Sequence, residues 1–349
     1  MTNSRKMTPS KAVFLLLSII LIAQGASPAR LRAWRFDPLS DLVHAHIGRS
    51  IESTDAYAAP FKENAQQPDF NGYVSPSSVV SIQGRPLLFS DDFEGTTLDE
   101  SRWNPHYWWH DEEDGCTIVP NNELQWYQPD DVLVSNGILR LRAQKRPIVT
   151  CGGETYNYTS GVITSGADDW AHPAGDKFAF TYGYAEARLK MPLGQGLWPA
   201  FWFLPCDQEW PPEVDVMEFL GDRPSITHMT YHYLDDSGNY AEQGDWWVSP
   251  HDFSAEWHTF GLDWRPDAMI WYVDGVERYR YTDQRRIPSE PMYLVLNLAV
   301  GGDWPGPPDA STVFPSYFEV DYVKVWGERT VDPSSLTEQV FLPQVSRRG

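Results

Sequence analysis

The sequence predicts an all-β domain of antiparallel sheets packed face to face, from about residue 86 to 328. Three observations carry this. Runs rich in β-branched and aromatic residues, alternating apolar with polar, recur along that stretch. Two of them fold back around Asn136-Gly137 and Asp274-Gly275, dipeptides that accept the positive φ angles of tight hairpin turns. And no run holds a long, capped period of 3.6 residues.

In chain order, residues 1–25 read as an export signal. Arg5, Lys6 and Lys11 precede an apolar run at 12–23, too short to span a bilayer comfortably, and small residues follow at 23–26. This places the protein outside the cell, in a disulfide-permissive compartment. Residues 26–85 have no clear period and read as an extension, and "HAH" at 44–46 has nothing nearby to complete a metal site. Hairpins follow at 132–143 and 269–281, with strands at 182–191, 227–234, 258–264, 292–300 and 317–326. Residues 329–349 read as a tail. There is no internal repeat, and too little chain is left over for a separate carbohydrate-binding module.

Composition narrows the partners. The chain carries 48 acids against 27 Lys and Arg, a net charge of −21, and about −24 without residues 1–25. Such a balance repels phosphates and anionic membranes, so nucleic acid is excluded as a natural partner. The 16 Trp suit either stacking on sugar rings or a large β-core. Cys116, Cys151 and Cys206 lack zinc-type spacing. Cys116 and Cys151, both in Gly-rich turns, are the expected disulfide, and Cys206 the expected buried thiol. Asn157-Tyr158-Thr159 fits the N-glycosylation pattern.

The most informative stretch is "EVDVMEFLG" at 213–221. Alternate residues of a strand share a face, so Glu213 and Asp215 lie together. Glu218 is an odd number of positions from Glu213, and a regular strand would turn it away. One extra residue near Val216-Met217, a β-bulge, restores it to the acidic face. Three neighbouring carboxyl groups repel one another and raise at least one pKa. A structural strand gains nothing from that. Glycoside hydrolysis needs one carboxylate to attack the anomeric carbon and one protonated carboxyl to release the leaving oxygen.

"EVDVMEFLG" resembles the bulged Glu-x-Asp-x-x-Glu signature of glycoside hydrolase family 16, as found in laminarinases. "YGYAEARLKMPLGQGLWPAFWFLP" (182–205), "NNELQWY" (121–127), "FGLDWRPDAMIWYVDGV" (260–276), "NLAVGGDWPG" (297–306) and "FEVDYVKVW" (318–326) are similar to segments of that family, in its order. The resemblance implies a jelly-roll sandwich with a concave cleft for a polysaccharide. It implies Glu213 as nucleophile, ionised at working pH, Glu218 as general acid/base with a raised pKa, and Asp215 as the group that tunes them.

The same resemblance nominates cleft residues. Trp198 and Trp202 share a strand face, with core packing as the alternative for Trp202. Trp210 and Trp304 sit in expected rim loops. Asn121, Asn122 and Glu123 match a segment near the glycone side. Glu186 and Arg188 match residues that reach sugar, with a structural ion pair as the alternative. His232 is placed near Glu218. "EWPPEVD" departs from the family in its two prolines, which restrict the loop into the strand. No cofactor is implied for catalysis. A structural calcium is implied at Glu94, the Gly137 carbonyl and Asp321, whose hard oxygens suit that ion.

The expected function is a secreted, monomeric endo-β-glucanase that cleaves internal β-1,3 links with retention. Mixed-linkage glucan, a galactan, or transglycosylation would use the same residues. A glucan-binding protein on this fold would have lost one or both glutamates, and both are present. A Ser or Cys hydrolase lacks its Gly-x-Ser-x-Gly elbow.

Overall fold

The computed structural model describes residues 80–110, 116–150, 153–169 and 175–329. The export signal, His44 and His46, Cys151 and residues 330–349 of the C-terminal tail lie outside them, and with Cys151 the expected disulfide.

Seventeen strands run through the described chain: β1 Leu87–Asp91, β2 Gln125–Tyr127, β3 Val132–Ser135, β4 Ile138–Val149, β5 Thr155–Ser160, β6 Val162–Thr164, β7 Ala179–Phe180, β8 Gly183–Lys190, β9 Leu197–Pro205, β10 Glu213–Phe219, β11 Ile226–Leu234, β12 Tyr240–Val248, β13 His258–Trp264, β14 Met269–Val273, β15 Val276–Tyr281, β16 Met292–Val300 and β17 Ser316–Trp326. The hairpin β3–β4 turns at Asn136 and Gly137 with φ of 56° and 71°, and β14–β15 at Asp274 and Gly275 with 51° and 73°. Both turns take the left-handed angles that these residues tolerate at least cost.

The strands form two sheets. A ten-stranded sheet runs β15-β14-β13-β8-β17-β4-β5-β2, with β1 on β17 and β3 on β4. A seven-stranded sheet runs β12-β11-β10-β9-β16-β6, with β7 on β16. Strands distant in sequence lie side by side, β8 with β17 and β9 with β16, as a jelly roll requires. Pairing is antiparallel except between β2 and β5, which run parallel.

Alternation builds the core. Ala185, Ala187 and Leu189 of β8 meet Phe201 and Phe203 of β9 and Met292, Leu294 and Leu296 of β16 between the sheets. Val214, Val216, Met217 and Phe219 of β10 join them. Adjacent Val216 and Met217 both face the core because the register slips by one residue: Asp215 pairs with Thr230, whereas Glu218 pairs with His228. Three steps on β10 therefore match two on β11, which is the expected bulge. Glu213, Asp215 and Glu218 are left together on the sheet's outer face.

A second apolar cluster covers part of that outer face. Tyr107, Trp108 and Tyr127 pack on Ala200, Trp202, Leu204, Tyr293 and Val295. It roofs the β9–β16 side and leaves the β10–β12 side as the place for the site. A separate hollow of about 310 Å³ beside β1, lined by Leu87, Phe89, Arg102 and Lys177 among others, contains no carboxyl group and is not the site.

Candidate active site

The outer face of β10 presents the three acids in order, each with its own hydrogen-bond partner. Trp210, in the loop before the strand, donates its indole N–H to Glu213 Oε2 at 2.7 Å. His232 Nε2 lies 2.9 Å from Asp215 Oδ2. Trp198 of β9 donates its N–H to Glu218 Oε1 at 3.1 Å. An indole N–H can only donate, so it favours the ionised form of the carboxyl group that it touches.

All three acids are pushed upward. Burial raises Glu213 to about 7, followed by the charge of Asp215, while the Trp210 donor works the other way. Asp215 rises as well, first through burial and then through the charge of Glu242 on β12. Glu218 is held well above the usual carboxylate range by burial, then by Asp215 and Glu213. The expectation of a plainly ionised Glu213 therefore needs correcting: the acids share protons as a group. Glu213 is 20 % exposed and meets water, whereas Asp215 is 4 % exposed. Glu213 is accordingly the easier of these two to ionise.

His232 corrects a second expectation. It pairs in register with Glu213 and bonds Asp215, so it serves that end of the site. His228 is the histidine opposite Glu218. Burial, and then the charge of Arg223, lower its pKa to about 4, so it is neutral. Glu213, Asp215 and His232 bring one ligand atom each to within 4.8 Å of one another. Because the Asp215–His232 contact is already a hydrogen bond, we read the group as proton-sharing and not as metal ligands.

The other nominated residues divide. Trp198 stands edge-on to Trp304, ring centroids 5.4 Å apart, and Trp304 meets His228 at 4.8 Å. Together they form an aromatic wall beside Glu218. Trp210, 42 % exposed, stacks on Tyr240 at 5.5 Å beside Glu213. The Trp210–Pro211 and Pro211–Pro212 bonds in this loop are cis. Asn122 donates to the Asp303 carboxylate, and the Asn121 carbonyl accepts from the Asp303 N–H, so the pair anchors the loop that carries Trp304. Asn121 also donates to Glu123, a buried carboxyl raised to about 7 by burial.

Trp202 shares the acids' face but is buried in the second cluster, donating to Asn297 Oδ1 at 2.8 Å. It is packing beneath the site, not a stacking surface. Glu186 and Arg188 do share a strand face, but β8 belongs to the ten-stranded sheet and its inward residues are the neighbouring alanines and Leu189. Glu186 accepts from Tyr184 and Tyr322, and Arg188 pairs with Asp321 at 2.6 Å, on the far side from the acids.

That pairing also engages Asp321 Oδ2, one of the expected calcium donors. Glu94 Oε1 lies 3.4 Å from where a Cβ on Gly137 would stand, and the Asp92 carbonyl 3.8 Å. Oxygens gather there, while Asp321 is held by a guanidinium. Cys206 is a free thiol, half-buried where full burial was expected.

Three functional candidates escaped sequence reasoning. Trp246 pairs with His228 in register and takes the acids' face, while its neighbour Trp247 packs on the core. Tyr240 and Glu242 reach His232 from the same strand, with Nδ1 2.7 Å from the Tyr240 hydroxyl. The alternation in "YAEQGDWWV" carried a signal, but its register to β11 did not exist in the sequence.

Comparison with known proteins gives the family. Residues 122–324 match Glycosyl hydrolases family 16. The chain is 35 % identical to the endo-1,3-1,4-beta-glycanase EglC of Rhizobium meliloti over 255 residues, covering 68 % of this chain and 51 % of that one. It is 31 % identical to the glucan endo-1,3-beta-glucosidase A1 of Niallia circulans over 321 residues, 84 % of this chain and 45 % of that one. It thus spans about half the length of these two relatives. The laminarinase catalytic domain of Thermotoga maritima superposes with a TM-score of 0.62 at 31 % identity, covering 71 % of this chain and all of that domain. The chain belongs to glycosyl hydrolase family 16.

Proposed function

We propose that this protein is a secreted, retaining endo-β-glucanase that hydrolyses internal β-1,3 bonds of laminarin-type glucans. The observation that carries the reading is the bulge in β10, which sets Glu213, Asp215 and Glu218 on one face with a separate indole donor on each glutamate. Trp210 holds Glu213 Oε2, leaving Oε1 to attack the anomeric carbon. Glu218 Oε1 accepts from Trp198, so the proton sits on Oε2 and passes to the departing glycosidic oxygen. Glu218 then takes a proton from water, and the water oxygen displaces Glu213 from the sugar. The Trp198 donor supports the anion that Glu218 becomes between the two steps.

The aromatic groups at either end, Trp210 with Tyr240 and Trp198 with Trp304, suit stacking on a neutral sugar chain. Carboxyl groups outnumber the one cation described around the acids, Arg223 near His228, which disfavours sulfated chains. A mixed-linkage β-1,3-1,4-glucan is the second reading, favoured by the name of the Rhizobium relative. Secretion rests on the apolar start of the chain, and calcium on the oxygens around Glu94 and Gly137, where it would be structural.

The test is reducing-sugar release from laminarin and lichenan by the purified protein and by Glu213→Gln. Release from laminarin that disappears in the folded variant supports the assignment. Wild-type release from lichenan alone would move the substrate to mixed-linkage glucan. Laminarin binding without turnover in the wild type would make it a binding protein.

A further inference from the structure

The hydrogens of the Asp215–His232 contact can be assigned from the far end of a four-residue chain. Tyr240 has one hydroxyl hydrogen, and Glu242 Oε2, at 2.5 Å, takes it. The Tyr240 oxygen is then an acceptor for His232 Nδ1 at 2.7 Å, so that nitrogen carries the hydrogen. In the neutral imidazole, His232 Nε2 then has a lone pair facing Asp215 Oδ2 at 2.9 Å, and the hydrogen between them belongs to Asp215. Every donor in the chain points away from the catalytic glutamates, and the chain ends on the Glu242 carboxyl group.

We propose that Tyr240 and Glu242 are positioning residues of the site: through His232 they keep a proton on Asp215, the residue that stands between Glu213 and Glu218. A neutral Asp215 lets Glu213 carry the anion that attack requires. An ionised Asp215 would push that proton onto Glu213 and disable it. The inference rests on the glycosidase reading of the same acids and adds what holds their protonation pattern.

The chain is set among carboxyl groups. His232 is faced by Glu213 Oε1 at 3.7 Å, by Asp215, and by Glu242 Oε2 at 3.6 Å, with the charge of Glu218 also reaching it. Tyr240 lies almost parallel to His232 at 5.9 Å, and Trp210 closes the stack. The Tyr240 phenol is pushed up by burial and by its bond to Glu242, which keeps its hydrogen on it. The register that pairs His232 with Glu242 fixes the chain across the two strands.

The experiment compares wild type with Tyr240→Phe and Glu242→Gln, following kcat and KM on laminarin from pH 4 to 10. Phenylalanine keeps the ring on Trp210 and removes the acceptor. Glutamine keeps the acceptor for Tyr240 and removes the charge. Both variants should lose kcat about tenfold at the optimum, with KM unchanged, and their alkaline limbs should fall by about one pH unit, the worth of one charge-assisted hydrogen bond. Gln243→Ala, on the other face of β12, should keep the wild-type profile. Wild-type limbs and kcat in both variants, or a shift in Glu242→Gln alone, would overturn the proposal, the latter by showing a through-space charge effect. Failure of the underlying reading would look different, since wild type itself would release no sugar.

Discussion

Trp210→Phe separates the roles of the two indole donors. The change removes an N–H that lies 2.7 Å from Glu213 Oε2 and keeps an aromatic ring against Tyr240. A hydrogen bond to a charged group is worth about 1.5–3 kcal/mol. Trp210 is 42 % exposed, so water replaces much of the lost donor and roughly 1 kcal/mol remains. One pH unit corresponds to about 1.36 kcal/mol, so the acid limb should move by about 0.7 unit. Its direction is upward: without the donor the Glu213 anion is less favoured, and its pKa, already raised to about 7, rises further. The assay is kcat/KM on laminarin from pH 4 to 10 at substrate well below KM, which reports the free enzyme. An acid limb that stays in place or moves to lower pH would refute the assignment of Glu213 as the group that must ionise.

Trp198→Phe should move the opposite limb. It removes the donor that favours ionised Glu218, so the alkaline limb should rise by about half to one unit, and kcat should fall as the anionic base is formed less readily. Asp215→Asn should stabilise the fold at high pH. Asp215 has a raised pKa in the folded state, so the folded protein holds a proton that the unfolded chain releases, and stability is lost as pH rises through that window. Asn cannot ionise and can donate to His232 as protonated Asp215 does, so thermal melts should coincide near pH 4 and favour the variant by a few degrees at pH 8. A chelator should leave kcat and KM unchanged, with any effect confined to the melting temperature, because the Gly137 turn joins two strands of the ten-stranded sheet and the acids lie on the other sheet.

Much of this arrangement was legible in the sequence because strand alternation is a local rule. Period two placed Val214 and Val216 in the core, and the odd spacing of Glu218 could be reconciled with its neighbours only by a bulge. Asn136-Gly137 and Asp274-Gly275 marked their turns from the chemistry of those residues alone. What alternation cannot state is which sheet a strand joins. Glu186 and Arg188 share a face as predicted, yet that face belongs to the other sheet, where Tyr322 and Asp321 meet them. Trp202 shares the acids' face but is roofed by Tyr107 and Tyr127, brought by distant chain. His232 and His228 are four residues apart on one strand, and only the register to β10 decides which serves Asp215 and which faces Glu218.

The most direct test of the central claim is the anomeric configuration of the first sugar released. Proton NMR in the first minutes of laminarin hydrolysis, before mutarotation, reads it. Attack by Glu213 followed by water activated at Glu218 predicts the β-anomer. Initial release of the α-anomer would mean that water attacks directly, and Glu213 would not be the nucleophile.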